Sequence, residues 1–585
     1  MKKLKMFLGV LSLVLFSNIS SFAKEIDIQI LATSDLHGKF YPYDYAINEE
    51  SKSGSLTQIA TAVKKYRTDN TIIVDVGDTI QDNYSEMFFK DKIHPMMLAM
   101  NEIGYDIWAI GNHEFNYGVE NLKNIMKQST SKVLIGNLYN PDGTSFADSY
   151  TIIEKDGVKI GVIGMCTPNI TKWDSVNLKD YIVTDPVEET KKIVKDLRDK
   201  VDVLIATVHM GEENEYDVPN SGANDLANAC PELDLIIAAH EHKLVEETYV
   251  DNVLIVENKS SGATMSKVNI VVEKDKSGCK IVDRKAESIK ISEYESDKEL
   301  SKKLAPYNER AKKEANIIIG ELVGGNLVPE NEIVEIPQAQ IEPTSLIDLI
   351  NEVQMYYTDA QVSSAALFNI DANLEPGKIK KSDTSLIYKY GNTLYKVQMT
   401  GKQLKKYMEW SANYYNTYNP KDLTISFNEN VRGFNYDMFS GVDYQIDISE
   451  KPGNRIKNLK WTKTGKEVKD NEVFVIAVNN YRVNTHLLSY GEIYEEGEEL
   501  PKVLEIDVNG KIGGVRELIG DYIKNVKGGK IAPNNPKNWE IIGNNWDEEK
   551  HKKAVQMIRE GKIKIPSSQD GRTPNVKSIT EDDLK

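Results

Sequence analysis

Histidine is scarce in this chain of 585 residues, eight in all, and five of the eight fall just after apolar runs in its first half. Asp35 and His37 follow the first run in Thr33-Ser34-Asp35-Leu36-His37-Gly38, and Asp78 follows the second in Asp75-Val76-Gly77-Asp78. Gly111-Asn112-His113-Glu114-Phe115-Asn116 closes the third, His209 ends the run 201–208, and His240 with His242 ends 233–239. Carboxylate and imidazole together suit divalent first-row metals such as zinc, manganese or iron. Asn112 offers a neutral oxygen ligand, and His113 beside it a proton donor. Two ions about 3.5–4 Å apart can clamp an in-line displacement at phosphorus and activate water near neutral pH. One carboxylate must then bridge them, and Asp78 is the candidate. Each piece alone has an ordinary reading as a turn, a cap or a core-edge histidine. Their joint placement singles them out, because open α/β sheets bind ligands beyond the carboxyl ends of their strands.

The elements that must deliver these residues are readable in outline. Apolar runs at 26–32, 71–74, 106–110, 158–165, 201–208 and 233–239 have the length of buried strands. Helical stretches alternate with them, such as 56–67 and 186–199, the second opening on Pro186. Strands at 253–257 and 267–272 close a layered α/β domain over 24–275. The segment 290–315, dense in lysine and glutamate, is expected to be a solvated helical linker. An α+β domain follows over 316–545, in which Thr400 and Gln403 have capping-box spacing for a helix through Trp410. The tail 546–585 is polar, and a helix followed by loose chain is expected there.

Composition narrows the function classes. A formal charge of −17 disfavours a polyanionic nucleic-acid partner but not a small anionic substrate held by local cations. Lys2, Lys3 and Lys5, an apolar run to Phe16 and then Ser21-Phe22-Ala23 have the order of a secretory signal peptide cleaved after Ala23. The run is too short to span a bilayer, so no stable membrane insertion is expected, and loss of the three lysines takes the charge to −20. Cys166, Cys230 and Cys279 form no disulfide framework, and Cys166 reads as a buried thiol. The chain is expected to act as a monomer, outside the cytoplasm.

Taken together, Asp-x-His, Gly-Asp, Gly-Asn-His-Glu, a strand-terminal His and His-x-His in this order resemble the calcineurin-like metallophosphoesterases. The two-domain layout resembles the secreted 5′-nucleotidase superfamily. Further strings are similar to the bifunctional 2′,3′-cyclic-nucleotide 2′-phosphodiesterase/3′-nucleotidases: Gly111 to Gly118, Ile93-His94-Pro95, Phe434-Asn435-Tyr436-Asp437, Gly441 to Asp447 and Asn479-Asn480-Tyr481-Arg482. The resemblance covers roughly 25–545. It implies a metallophosphoesterase β-sandwich flanked by helices and joined to an α+β substrate-binding domain. It also implies two divalent ions: Asp35, His37 and His242 would hold one, Asn112, His209 and His240 the other, with Asp78 between. His113 would face the phosphate, and the catalytic partner three residues later, an aspartate in the 5′-nucleotidase branch, is Asn116 here. Nucleotides are the implied substrates, their base held between Phe434 and Tyr481, with Asn435 nearby and Tyr436 as an alternative platform.

Three departures from the superfamily pattern bear on the branch. Ala239 stands where glycine is usual before His240, and no Gly-Gly-x-Arg string occurs around 365–373. Val483 to Leu488 replace the glycine-rich loop expected after Tyr481. The missing arginine string favours the cyclic/3′ branch. A 5′-nucleotidase or nucleotide-sugar hydrolase is the first alternative, and a noncatalytic surface-binding protein that retains the fold the second.

Overall fold

The computed structural model describes residues 24–585 apart from 216–217, 277, 570 and 572, so the signal-peptide expectation lies outside the described residues. Twelve strands of the first domain form two six-stranded sheets. In chain order they are β1 (Lys24–Thr33), β2 (Thr71–Asp75), β3 (Ile107–Ala109), β4 (Lys132–Leu134), β5 (Tyr150–Lys155), β6 (Val158–Cys166), β7 (Val203–His209), β8 (Leu235–Ala238), β9 (Val245–Val250), β10 (Val253–Glu257), β11 (Thr264–Asp275) and β12 (Gly278–Lys290). One sheet runs β12-β11-β1-β2-β3-β4 and the other β9-β10-β8-β7-β6-β5. The strands β1 to β4 pair in parallel, as do β6-β7-β8-β10, so their carboxyl ends line up.

Both faces of these central strands are buried, which is why they read as continuous apolar runs rather than alternating ones. Ile28, Ile30 and Val74 of one sheet meet Ile160, Val162, Ile205 and Ile237 of the other in an inner core. The alternate residues Leu31, Ile73 and Trp108 face outward, under helices α1 (Leu56–Tyr66) and α2 (Pro95–Ile103). On the far side Ile163, Leu204 and Ile236 pack under α3 (Pro186–Leu197). Each of these side chains is worth about 1.5–3 kcal/mol of burial. Helix starts follow the local chemistry: the Ser55 side chain accepts from the Gln58 N–H, and Asp185 accepts from the N–H groups of Val187 and Glu188 ahead of Pro186.

The linker expectation needs correction. Helix α4 (Lys298–Ala315) is not solvated all round: Leu300, Leu304, Ala311 and Ala315 lie on one buried face against α1 and α2. Four apolar residues at helical spacing are hidden in an average dominated by lysine and glutamate. Tyr45 reinforces the contact by donating to Asn308 Oδ1 at 2.8 Å.

The second domain adds α5 (Ser345–Thr358), β13 (Val362–Ala366), β14 (Leu394–Thr400), α6 (Gly401–Ala412), β15 (Asp437–Ser440), β16 (Val473–Asn479) and β17 (Lys502–Glu505). These strands form a mixed sheet of order β15-β13-β16-β14-β17. The Thr400–Gln403 capping box is present, and α6 runs on to Ala412. The expectation of a loose tail is also corrected. After α7 (Glu548–Arg559), Ile565 and Ile579 are buried, and the backbone pairs Leu423 N–H with Ile579 O and Phe427 N–H with Asn575 O. Main-chain hydrogen bonds fasten this segment, and polar composition gives no sign of them. No helix among the described residues is long and apolar enough to cross a membrane.

Candidate active site

The loops at the carboxyl ends of β1 and β2 are laced together by their backbones. Asp35 N–H donates to Gly77 O, His37 N–H to Asp78 O and Gly38 N–H to Thr79 O, at 2.8, 2.8 and 2.9 Å. This ladder sets Asp35 and His37 beside Asp78. The second sheet reaches across: His209 Nδ1 lies 2.6 Å from Val76 O, and the His240 N–H donates to Asp35 Oδ1 at 3.1 Å. Two groups result, Asp35–His37–His242 and Asp78–His209–His240, each with its donor atoms within 4.8 Å of one another. Asn112 completes the second group, its Oδ1 3.1 Å from His209 Nε2.

The backbone is contorted to achieve this. Asp35, His37, Asp78, His240 and His242 have φ of 51°, 45°, 53°, 80° and 59°. That region costs a non-glycine residue of the order of 1–3 kcal/mol, and such strain gathers at functional sites. Gly111 allows the closest approach, since a Cβ there would sit 2.4 Å from Asp78 Oδ1 and 2.8 Å from His209 Cε1. Glu114 locks the two loops from beneath. Its buried carboxylate accepts from the N–H groups of Asp78 and Gly111 at 2.8 Å and of Thr79 at 2.5 Å.

The donor chemistry fits cations. Val76 O can only accept, so His209 Nδ1 carries the hydrogen and Nε2 turns a lone pair on Asp78 Oδ2 and Asn112 Oδ1, each 3.1 Å away. Gln81 Oε1 holds His37 Nδ1 at 2.8 Å, which aims His37 Nε2 at His242 Nε2, 3.1 Å off. Lone pairs converging this way need a metal ion or a proton between them. Burial opposes charge on His209, yet Asp78 outweighs it and the pKa rises to about 10. Burial likewise opposes ionisation of Asp35, but its bond to His242 and the surrounding imidazoles hold it down at about 2. His37 is pushed to about 4 by burial and by His242.

His113 stands at the edge of this cluster, its Nε2 3.9 Å from Asp78 Oδ2 and its N–H donating to Asp78 Oδ1 at 2.8 Å. Its Nδ1 meets Asn116 Oδ1 at 2.6 Å. Sequence reasoning placed no charge near this pair, but Asp174 lies one link behind, accepting from Asn116 Nδ2 at 2.7 Å. It also gave no role to Glu215, whose carboxylate is 3.3 Å from His240 Nε2, or to Gln81. None of the three belongs to a short motif. They arrive from turns whose positions only the fold defines.

In the second domain Phe434 and Tyr481 come together edge to face, ring centres 6.3 Å apart at 78°. Arg482 fastens them. Its Nε lies 2.6 Å from buried Asp437, its Nη1 donates to Asn435 Oδ1 and its Nη2 to Phe434 O. Tyr436 is not a platform: it is 1% exposed and stacked on Tyr414 in the core. Phe434 sits partly exposed in the single helical turn Gly433–Asn435, and Tyr436, which ends that turn, is buried. The pair adjoins the first domain through Asn480, which donates to Trp173 O at 3.3 Å, while the Trp173 ring lies 5.1 Å from His240.

Each of the two domains matches a known family. Residues 28–244 match the calcineurin-like phosphoesterase family and 325–487 the 5′-nucleotidase C-terminal domain family. The chain is therefore a two-domain enzyme of the metallophosphoesterase class with 5′-nucleotidase architecture. It is 27% identical to the 2′,3′-cyclic-nucleotide 2′-phosphodiesterase/3′-nucleotidase of Haemophilus influenzae, over 91% of this chain and 90% of that one. It is also 27% identical to the trifunctional nucleotide phosphoesterase protein YfkN of Bacillus subtilis, over 89% of this chain but only 39% of that protein. Its fold is shared by a Staphylococcus aureus structure of 5′-nucleotidase type, with a TM-score of 0.73, 21% identity and coverage of 88% and 100%.

Proposed function

We propose that this enzyme hydrolyses 2′,3′-cyclic nucleotides to 3′-nucleotides and then 3′-nucleotides to nucleosides and phosphate, and that it does so after export. The observation that carries the reading is the pair of donor groups, Asp35–His37–His242 and Asp78–His209–His240, with His113 Nε2 3.9 Å from Asp78 Oδ2. Asp35, His37 and His242 would hold one divalent ion, and Asn112, His209 and His240 the other, with Asp78 shared. Bound there, two such ions supply an activated water and offset phosphate charge.

The remaining steps belong to side chains of this chain. His113, next to the Asp78 carboxylate, donates a proton to the departing ribose oxygen or stabilises charge on the phosphate. The backbone N–H of His113 holds Asp78 in place. Phe434 and Tyr481 take the base by opening from their edge-to-face contact, and because every base has a π-face the pocket tolerates several. The names of the relatives and the Asn116 position support the cyclic/3′ branch. Side-by-side turnover of 2′,3′-cyclic AMP, 3′-AMP and 5′-AMP tests it: the first two should be consumed well ahead of the third. Dominant 5′-AMP hydrolysis would transfer the chain to the 5′-nucleotidase reading.

A further inference from the structure

We propose that Asp174 is a positioning residue for His113, acting through the side-chain amide of Asn116. This rests on the reading of His113 as the group that faces the phosphate. The geometry is a line of two short hydrogen bonds, His113 Nδ1 to Asn116 Oδ1 at 2.6 Å and Asn116 Nδ2 to Asp174 Oδ2 at 2.7 Å. Asp174 is 6% exposed and follows the turn Ile170–Trp173, and Asn177 Nδ2 steadies its other oxygen at 3.1 Å. Asn177 in turn donates to Phe115 O at 3.0 Å, tying the carboxylate to the strand-end loop that carries His113.

An amide has two ends of opposite hydrogen-bonding character, and either could face a histidine. A carboxylate accepts only, so Asp174 can meet only the NH₂ end of Asn116. The oxygen is thereby turned on His113, and His113 Nδ1 must carry a hydrogen. That fixes the ring's orientation and leaves Nε2 as the atom that exchanges a proton at the phosphate. Burial pushes the Asp174 carboxyl up to about 6, against the pull of Asn177, His113 and Asn116, so the group accepts without donating above that pH. Without Asp174 the amide is free to flip, present NH₂ to Nδ1, and move the hydrogen of the neutral ring to Nε2. The charge therefore stays one link from the imidazole, and the amide passes on orientation.

The test compares Asp174→Asn, Asn116→Asp and the exchange of both, each as metal-loaded full-length enzyme acting on 2′,3′-cyclic AMP. Asp174→Asn should lower kcat about tenfold or more while KM and metal content stay within about twofold of the parent. The exchange puts an acceptor on His113 and an amide donor behind it, and should recover kcat to within about threefold of the parent. Asn116→Asp alone sets two carboxylates together and should do worse than the exchange. In an Asn116→Ala background, adding Asp174→Asn should cost nothing further, which keeps the coupling measurable if one single variant folds poorly. Parent-like kcat in Asp174→Asn, or no recovery in the exchange, overturns the proposal. Failure of the underlying reading looks different, since His113→Ala would then turn over at the parental rate.

Discussion

At the scale of single residues, the chemistry divides between groups that would hold ions and groups that shape the site around them. Asp78 belongs to the first kind and His113 to the second, although their atoms touch. Asp78→Asn should abolish metal-supported turnover. His113→Ala should lower kcat by roughly 10²- to 10⁴-fold while leaving metal content near that of the parent. Metal analysis beside kinetics checks both, and loss of the ions from the His113 variant would show its role to be misassigned. Glu114 is not among the proposed ion ligands, but it accepts from four backbone N–H groups of two loops. Glu114→Ala would strand them in a buried place, at about 1–3 kcal/mol for each group left unsatisfied. Denaturant unfolding should register at least that loss, and an unchanged midpoint would mean water replaces the carboxylate without cost.

At the scale of elements, the seven residues proposed as ion ligands could be picked out because each follows an apolar run, and the strands they follow stand where those runs indicate. Residues that act by tertiary contact could not. Asp174 comes from a short turn, and nothing in its surroundings reveals that it faces Asn116. The left-handed backbone of Asp35, His37, Asp78, His240 and His242 was only hinted at, because Asp and His are enriched there but residue type does not say which of them adopts it. Composition misled in two places, where helix α4 and the tail bury a few apolar side chains among many charged ones. In the second domain, Arg482 was part of a recognised string, but its work as a staple between the turns of Phe434 and Tyr481 needs the fold. Arg482→Met should leave the buried Asp437 carboxylate with the Tyr407 hydroxyl but without its cation, and cost about 3–5 kcal/mol. It should also raise KM for cyclic nucleotide as the aromatic pair loosens. Thermal unfolding and steady-state kinetics test this together, and a stable variant with parental KM would contradict it.

At the scale of the whole molecule, a cavity of about 740 Å³ opens where the domains meet, and Asn116, Trp173 and Asp174 line it from the first domain. Opposite them Arg516 of the second domain lies 3.4 Å from Asp82, whose carboxyl is drawn below its usual range against burial, chiefly by that arginine. Glu86, in the same cavity, has a buried Oε2 without a partner, and burial raises its carboxyl to about 7 despite Arg516. Between 4.5 in the unfolded chain and about 7 in the folded one, the folded protein keeps a proton that the unfolded chain has lost. Stability from this group is thus present below pH 4.5, falls across that window and is level above it. Glu86→Gln should remove the slope, so Tm of the variant relative to the parent rises from pH 5 to 7 and then stays flat. A difference independent of pH would place the carboxyl in water. Dependence on two bound metal ions is reached most directly by one titration. Metal-free enzyme is titrated with manganese or zinc while hydrolysis of 2′,3′-cyclic AMP is followed. The account predicts no turnover without metal and a rise that saturates at about two ions per chain. Turnover in the absence of metal, or saturation at a single ion, would contradict it.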